Sequence, residues 1–323
     1  MVKAIRIHKT GGPEVLEVED ITLPEPGQGE VLVQNRAIGL NFIDTYFRTG
    51  LYPTQLPFVP GNEGAGEVVS VGPGVTEFKP GDRVAYVATL GSYAEQRIVP
   101  VNSVVALPEA VSFEAAASMM LKGLTAEYLL HRTYQVKAGD TILVHAAAGG
   151  TGLILCQWGK ALGATVIGTV GSQEKAELAK ANGADHAILY REEDFVARVK
   201  EITGGKLCAV VYDGVGKDTF VKSLDCLRPF GLLAGFGNAS GAVEPFNLGL
   251  LAQKGSLYVT RPTLFTHIGN RETMVAMAKN LFDTIASGKV VVPVNAKFAL
   301  TDAAEAHRAL ESRGTTGSTV LLP

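Results

Sequence analysis

The hydrophobic positions along the chain change texture twice. Up to about residue 122 they fall in short runs broken by Gly and Pro, as in "GEVLVQNRAIGL" (29–40), "GAGEVVSVGPGV" (64–75), "GDRVAYVATL" (81–90) and "YAEQRIVP" (93–100). Many short strands with turn residues between them predict an antiparallel, barrel-like domain. A helical stretch, "SFEAAASMMLKGLTAEYLL" (112–130), leads out of it. From Thr141 to about Pro262 the apolar runs "TILVHAA", "ATVIGTV", "HAILY", "AVVYDG", "GLLAGFG" and "SLYVT" alternate with helix-like segments. Two of those segments are "SQEKAELAKANGA" and "EEDFVARVKEITGG", the second closed by a Gly-Gly stop. Such alternation predicts an α/β fold with a parallel, doubly wound sheet. After Pro262 come a helix, "RETMVAMAKNLFDTIASG", and a strand-helix-strand piece, "KFALTDAAEAHRALESRGTTGSTVLL", with Thr301 or Asp302 expected to cap its helix. That piece is too short to stand alone and is expected to pack back on the N-terminal domain.

The first strand of the alternating region runs into a turn of small residues, "AAAGGTG" (146–152), and then into an apolar helix. In a G-x-G-x-x-G dinucleotide turn the first glycine makes the tight bend, the second admits the pyrophosphate and the third lets helix and strand pack closely. Here the frame falls on Ala147, Gly149 and Gly152, so the first glycine is alanine, and Gly150 adds freedom. Amides near Gly150 and Thr151 would face the pyrophosphate at the positive end of the helix dipole. An NAD site usually carries Asp or Glu about 20 residues further on, accepting from the ribose hydroxyls. That region reads Val170-Gly171-Ser172, with Lys175 one turn into the next helix. A carboxylate there would repel a 2′-phosphate, whereas Ser172 and Lys175 can donate to one, so NADPH is favoured over NADH. The plainer alternative is that Ser172 only caps the helix and Lys175 is a solvated helix residue.

Composition narrows the class. The 323 residues suggest about two domains, and a net charge of −3 gives no electrostatic footprint for nucleic acid. Cys156, Cys208 and Cys226 are scattered, which argues against a disulfide framework or a zinc knuckle. The N-terminal "MVKAIRIHKTGGPEVLEVED" lacks an apolar signal core, and no run approaches 18 apolar residues. A soluble cytoplasmic protein with no membrane partner is expected.

Several collinear segments carry a resemblance: "GGPEVLE" (11–17), "AIGLNFIDTYFRTGLYP" (37–53), "GNEGAGEVVSVGPGV" (61–75), "GDRVAY" (81–86), "KGLTAEYLL" (122–130), "AAAGGTG" (146–152), "YREEDF" (190–195), "SLYVTRPTL" (256–264) and "AHRALESRGTTGS" (306–318). Together they resemble the zinc-free quinone oxidoreductases (the zeta-crystallin-like branch) of the medium-chain dehydrogenase/reductase superfamily. The resemblance implies a GroES-like β-barrel catalytic domain from residues 1–122 and 265–323. It implies a Rossmann NADPH-binding domain over 123–264, with the active site in the cleft between them. Carried over residue by residue, the family's cofactor contacts fall on Phe42, Ile43, Asp44, Thr45, Tyr46, Tyr128, Gly150, Thr151, Gly171, Ser172, Lys175, Tyr190, Phe236, Gly237, Asn238 and Arg313. The lysine, Tyr190 and Arg313 would surround the 2′-phosphate. A homodimer through the edge strand "SLYVT" is the matching expectation for assembly.

Zinc alcohol dehydrogenases of this superfamily take a Cys ligand from one turn and a His from "GHE". This chain has Asn41 and Asn62 at those two positions, and Asn is a poor zinc ligand. No metal site is expected. Without a Lewis acid to form an alkoxide, alcohol oxidation is disfavoured, while quinones and α,β-unsaturated carbonyls accept hydride readily once oriented. The expected enzyme is therefore an NADPH:quinone oxidoreductase acting on a small-molecule quinone or conjugated carbonyl. Asn41, Tyr46, Tyr52 and Thr125 are the candidates for the acceptor side: Asn41 could donate to a carbonyl, Tyr46 or Tyr52 could donate a proton or stack. The structural alternative is that Asn41 holds the backbone turn, Tyr52 is a loop aromatic and Asp44 is structural. Rival functions are an NADPH-dependent enone or alkenal double-bond reductase, or a non-enzymatic NADPH-binding structural or RNA-binding protein.

Overall fold

A computed structural model describes residues 1–312 and 316–323. The chain divides into two compact units, one of Met1–Lys122, Ile268–Lys279 and Val292–Pro323, the other of Gly123–His267 and Asn280–Val291. Residues 265–267 and 280–291, expected with the barrel, here group with the parallel sheet. Local bonding explains this. The Asn280 amide donates to Glu127 at 3.2 Å, and Leu281 packs so tightly on Gly123 that a Cβ there would lie 2.7 Å from its methyls. The backbone of Val291 exchanges two hydrogen bonds with the Gln157 amide.

The second unit is built on six parallel strands. In chain order they are Thr141–Val144, Thr165–Val170, His186–Leu189, Cys208–Asp213, Leu227–Gly235 and Tyr258–Thr260, and they lie side by side as 3-2-1-4-5-6. That is the order of a dinucleotide-binding doubly wound sheet, with its switch point between the first and fourth strands. Leu143, Ile167, Ile188, Val211 and Leu233 form the core of the sheet. Strands covered on both faces read as near-continuous apolar runs, which is why "TILV" and "CAVVYD" show no alternation.

In the first unit, Val294–Ala299, Ser318–Leu322, Glu30–Leu40, Glu63–Val71, Arg83–Val87 and Val104–Ala106 follow one another across a sheet, with Gln96–Pro100 also paired to Glu30–Leu40. All pairs are antiparallel except the first. Strands from residues 30–106 and from the C-terminal residues 294–322 thus share one sheet. Val2–Arg6 and Glu17–Ile21 add a separate hairpin that the sequence patterning did not predict. Ile5, Ile38, Leu40, Phe58, Tyr93, Leu300 and Leu321 make one core, and Val31, Val33, Val68, Val84, Tyr86 and Val99 another.

Two helices of this unit carry residues of the candidate site and its support. The helix Phe42–Thr49 starts at Asn41, whose backbone N–H donates to the Asp44 carboxylate at 2.9 Å, and it stops at Gly50 in the left-handed region. The helix Ala303–Glu311 is entered through a 3₁₀ turn, Leu300–Asp302. Neither Thr301 nor Asp302 makes the capping hydrogen bond expected of it. Asp302 does hold the cap position, but its backbone is not extended, so the side chain is not turned back onto the first-turn amides.

Candidate active site and dinucleotide cradle

The small-residue turn comes directly after the first parallel strand. Its bend falls on Ala146, at φ +52°, one residue before the alanine that replaces the first glycine. Ala147 is buried against Gly168 of the second strand, where a Cβ would lie 2.6 Å from its own. Ala147 also donates its N–H to Thr169 at 3.1 Å, tying the turn to that strand. Gly149 occupies the cap of the helix Gly150–Ala161 and offers no side chain to its amides. The N–H groups of Gly150, Thr151 and Gly152 find no acceptor among the described residues. Three open donors at the positive end of a helix make an anion cradle. Gly152 behaves as the third glycine of the fingerprint, because a Cβ would sit 2.3 Å from the Ala146 carbonyl oxygen.

The second strand ends at Val170, with Gly171 and Ser172 next in the chain. Ser172 does cap the next helix: its hydroxyl oxygen accepts from the Lys175 N–H at 3.4 Å. The O–H itself still has a proton to give, so capping and phosphate binding are compatible. Half-buried Lys175 is one turn into the helix, and exposed Tyr190 comes from the end of the third strand. A Cβ on Gly171 would lie 3.1 Å from the Tyr190 hydroxyl and 3.4 Å from Arg191 Nε. Arg191 is thus a second cation in this corner that sequence reasoning missed. The "YREEDF" motif contained it, but only the fold turns it toward Gly171. Arg313 lies outside the described residues.

Phe236, Gly237 and Asn238 come after the fifth strand and lie against the loop after the fourth. A Cβ on Gly237 would meet the Gly214 carbonyl oxygen at 2.5 Å, and the Phe236 ring packs over Gly214. That loop is pinned by buried Asp213, which accepts from the amides of Val215 and Gly216 and from the Thr219 hydroxyl. Thr125 and Tyr128 lie one turn apart on the helix Phe113–Tyr128. The Tyr128 ring stacks on His267 at 4.4 Å, and burial pushes its phenol well above the usual range.

In the barrel unit the candidate acceptor residues meet a buried polar network. Half-buried Phe42 and Ile43 begin the helix, while Asp44, Thr45 and Tyr46 are buried within it. The rings of Tyr46 and Tyr52 touch edge-on at 5.2 Å. The Asn41 amide nitrogen donates to Glu63 Oε1 at 2.7 Å, and the Asn62 amide nitrogen to Asp44 Oδ1 at 2.7 Å. Asp44 also accepts from Tyr93 at 3.0 Å, so its side chain serves the network and only its backbone is left to meet a cofactor. Tyr93 then contacts His307 Nε2, Arg48 donates to His307 Nδ1, and Arg48 forms a two-pronged pair with Glu311. Since Arg48 can only donate, His307 must accept at Nδ1 and carry its proton at Nε2. The bonds then run one way, from Arg48 through His307 and Tyr93 to Asp44.

At the other end of the network, Glu63 Oε2 accepts from the Leu121 amide at 2.7 Å. Glu63 Oε1 accepts from Lys122 Nζ at 3.3 Å. The sequence reading also missed Lys122, which is separated from Asn41 by most of the barrel. Asn41 and Asn62 turn donors toward carboxylates, where a zinc ligand would present a lone pair. These residues do not fit a catalytic zinc. Among the described residues, His8, Glu17 and Glu19 are the one group of clustered ligand atoms, and there Arg6 also pairs with Glu19.

With this geometry in hand, comparison with known proteins defines the class. An alcohol dehydrogenase GroES-like domain matches residues 27–109 and a zinc-binding dehydrogenase domain matches residues 150–282, the pairing of the medium-chain dehydrogenase/reductases. Over the full length of both chains the protein is 57% identical to a quinone oxidoreductase of Pseudomonas aeruginosa. It is 46% identical to a 2-haloacrylate reductase of Burkholderia, over 100% of this chain and 99% of that one. The solved Escherichia coli quinone oxidoreductase complexed with NADPH is 53% identical, superimposes with a TM-score of 0.98, and is covered completely by 99% of this chain. The chain belongs to the quinone oxidoreductase family.

Proposed function

We propose that the protein is an NADPH-dependent quinone reductase. The carrying observation is the corner around Gly171, where Ser172, Lys175, Tyr190 and Arg191 stand in place of a ribose-binding carboxylate, beside three open amides at Gly150, Thr151 and Gly152. Full-length kinship with quinone oxidoreductases, one of them solved with NADPH, supports the same cofactor and acceptor. When bound, NADPH supplies a hydride. With a proton from solvent, a quinone and NADPH become a hydroquinone and NADP⁺.

The amides of Gly150–Gly152 would hold the pyrophosphate, and the Gly171 corner, with Arg313, the 2′-phosphate. Phe236, Gly237, Asn238 and Tyr128 would flank the rest of the dinucleotide, with backbone from the Phe42–Tyr46 segment. Asn41, Tyr46, Tyr52 and Thr125 would line the acceptor. Zinc plays no part, a reading supported by the two asparagine amides that face Glu63 and Asp44. The protein would act as a soluble cytoplasmic enzyme with neither membrane nor nucleic-acid partner. Among the described residues no helix is long and apolar enough to cross a membrane. A homodimer would form through the edge strand Tyr258–Thr260, where Tyr258 and Phe230 are exposed. Light scattering of Tyr258→Asp beside the parent chain tests that assembly.

The deciding assay tracks loss of the reduced-nicotinamide absorbance with para-benzoquinone, phenanthrenequinone and a conjugated enone in parallel. Quinone turnover with preference for NADPH over NADH is expected. The 2-haloacrylate reductase among the relatives gives a second reading, reduction of an activated double bond. Turnover of the enone alone would favour that one. Tight NADPH binding without turnover of any acceptor would refute both and leave a binding protein.

A further inference from the structure

We propose that Lys122 is a further catalytic residue, a built-in cation that donates to the acceptor's oxygen and stabilises the oxyanion formed when hydride arrives; this rests on the quinone-reductase reading. Lys122 closes the barrel unit's share of the helix Phe113–Tyr128, and its side chain is about nine-tenths buried. Two acceptors tether the ammonium: the Leu40 carbonyl at 3.1 Å and Glu63 Oε1 at 3.3 Å. An ammonium carries three N–H donors. No described residue accepts the third, which tetrahedral geometry points away from the other two partners. A buried, charged donor with an unused hydrogen calls for an acceptor from outside the chain.

The surroundings suit an oxygen that gains charge. Glu63 is held by the Asn41 amide at 2.7 Å and the Leu121 N–H at 2.7 Å, both shorter than its contact with Lys122. Its charge is therefore largely met by other donors, and Lys122 is held in place by it without being consumed. Asn41 shares the same carboxylate oxygen, which puts the acceptor-side candidate and the ammonium on one anchor. Gly39 makes room for the arrangement: a Cβ there would lie 2.3 Å from Glu63 Oε1 and 2.1 Å from the Ala117 carbonyl oxygen. An aligned donor in a site shielded from water stabilises developing charge without reorganising. Zinc would do this as a Lewis acid, and here an ammonium does it from the carboxylate oxygen that it shares with Asn41.

The chemistry balances simply. Bound NADPH would supply the hydride with its electron pair and would end as NADP⁺. The quinone takes that pair and becomes the hydroquinone monoanion, whose oxygen accepts the Lys122 N–H hydrogen bond. A solvent proton then neutralises it, and Lys122 keeps its own proton.

Lys122→Met removes the charge at similar length, and Lys122→Arg keeps it. With para-benzoquinone, Lys122→Met is expected to lower kcat/KM on the order of a hundredfold, the usual effect of deleting one oxyanion donor. NADPH affinity should be unchanged and Lys122→Arg should recover part of the loss. A second readout uses para-nitrophenol, an analogue of the hydroquinone. The parent protein should bind it as the yellow phenolate and lower its apparent pKa, and Lys122→Met should not. Turnover of Lys122→Met within about threefold of the parent, or an unchanged phenolate spectrum, overturns the proposal. If Lys122→Met fails to fold, the parent's own phenolate titration and Lys122→Arg decide it. A parent without quinone turnover would instead refute the reductase reading, while the phenolate titration still reports on the lysine.

Discussion

Two buried groups joined through Tyr93 should pull the acid stability of the barrel unit in opposite directions. His307 is buried, with Arg48 at 2.9 Å on one nitrogen and Tyr93 at 3.1 Å on the other. Burial first, and the Arg48 charge second, push its pKa from 6.5 down to about 3. A group depressed in this way stabilises the fold above its unfolded value and loses that contribution as pH falls from 6.5 to about 3. At about 1.4 kcal/mol per pH unit, the full loss is about 5 kcal/mol. Asp44 behaves inversely. Desolvation outweighs its bonds from Asn41, Asn62 and Tyr93, Glu63 repels it, and its pKa rises from 3.8 to about 6. The folded state then binds the proton more tightly, so folding gains about 3 kcal/mol as pH falls across that range. Within that range the native pair holds one proton, on Asp44, and the unfolded pair holds one, on His307. Their joint slope nearly vanishes there, and the net loss of about 2 kcal/mol falls between pH 6.5 and about 6 and again from 3.8 down to about 3.

The two halves separate by substitution. His307→Gln cannot titrate, yet it can still accept from Arg48 and donate to Tyr93. Asp44→Asn removes the opposing term. Urea unfolding at a series of pH values from neutral to about 3.5, monitored by far-ultraviolet circular dichroism, gives each variant's stability relative to the parent, so that carboxylates common to all three cancel. The difference for His307→Gln should move in the variant's favour on acidification, by about 4 kcal/mol at the acid end of the series. The difference for Asp44→Asn should move against the variant by about 3 kcal/mol. Differences that do not vary with pH, or that drift in the same direction, would refute the reasoning.

Three further outcomes rest on the geometry of the site. Arg191→Ala should raise the KM for NADPH about tenfold to a hundredfold, the worth of a charge-assisted hydrogen bond, and leave NADH kinetics unchanged, so the ratio of the two specificity constants is the measurement. Gly152→Ala drives a Cβ to 2.3 Å from the Ala146 carbonyl oxygen. It should cost about 1–3 kcal/mol by overpacking and weaken NADPH binding in fluorescence titration. Gly39→Ala would collide with both Glu63 and the Ala117 carbonyl. Its thermal midpoint should fall by several degrees, and para-nitrophenol should lose its phenolate spectrum as the Lys122 anchor shifts.

What the sequence made legible was local. The parallel strands announced themselves by length and apolar content, and the cradle by its glycines and a threonine within a few residues. The missing carboxylate was readable because its expected place is counted from those glycines. Even there the bend is taken by Ala146 at φ +52° and not by the residue aligned with the first glycine. What stayed hidden depends on closure of the barrel. Arg48 and Glu311 are 263 residues apart, Tyr93 and His307 are 214 apart, and Lys122 reaches back 59 residues to Glu63. No spacing rule links such residues. In the sequence His307 is one histidine on an amphipathic helix and Lys122 a polar break in an apolar one.

The same distances tie the two asparagines into one network. Replacing a thiolate and an imidazole by amides exchanges lone pairs for donors, and buried donors need acceptors. Asn41 and Asn62 find them in Glu63 and Asp44, two carboxylates that would otherwise be buried with fewer partners. Each then needs its charge met. Glu63 obtains a backbone amide and the Lys122 ammonium, and Asp44 obtains Tyr93 and, behind it, His307 and Arg48. Removing any single member leaves a desolvated charge or donor unmatched. The barrel residues around Asn41 are therefore better understood as one coupled electrostatic unit than as separate catalytic candidates. Double-mutant cycles between Asn41 and Lys122 should give coupling above about 0.5 kcal/mol, whereas either residue paired with Arg191 of the dinucleotide corner should be additive in NADPH affinity.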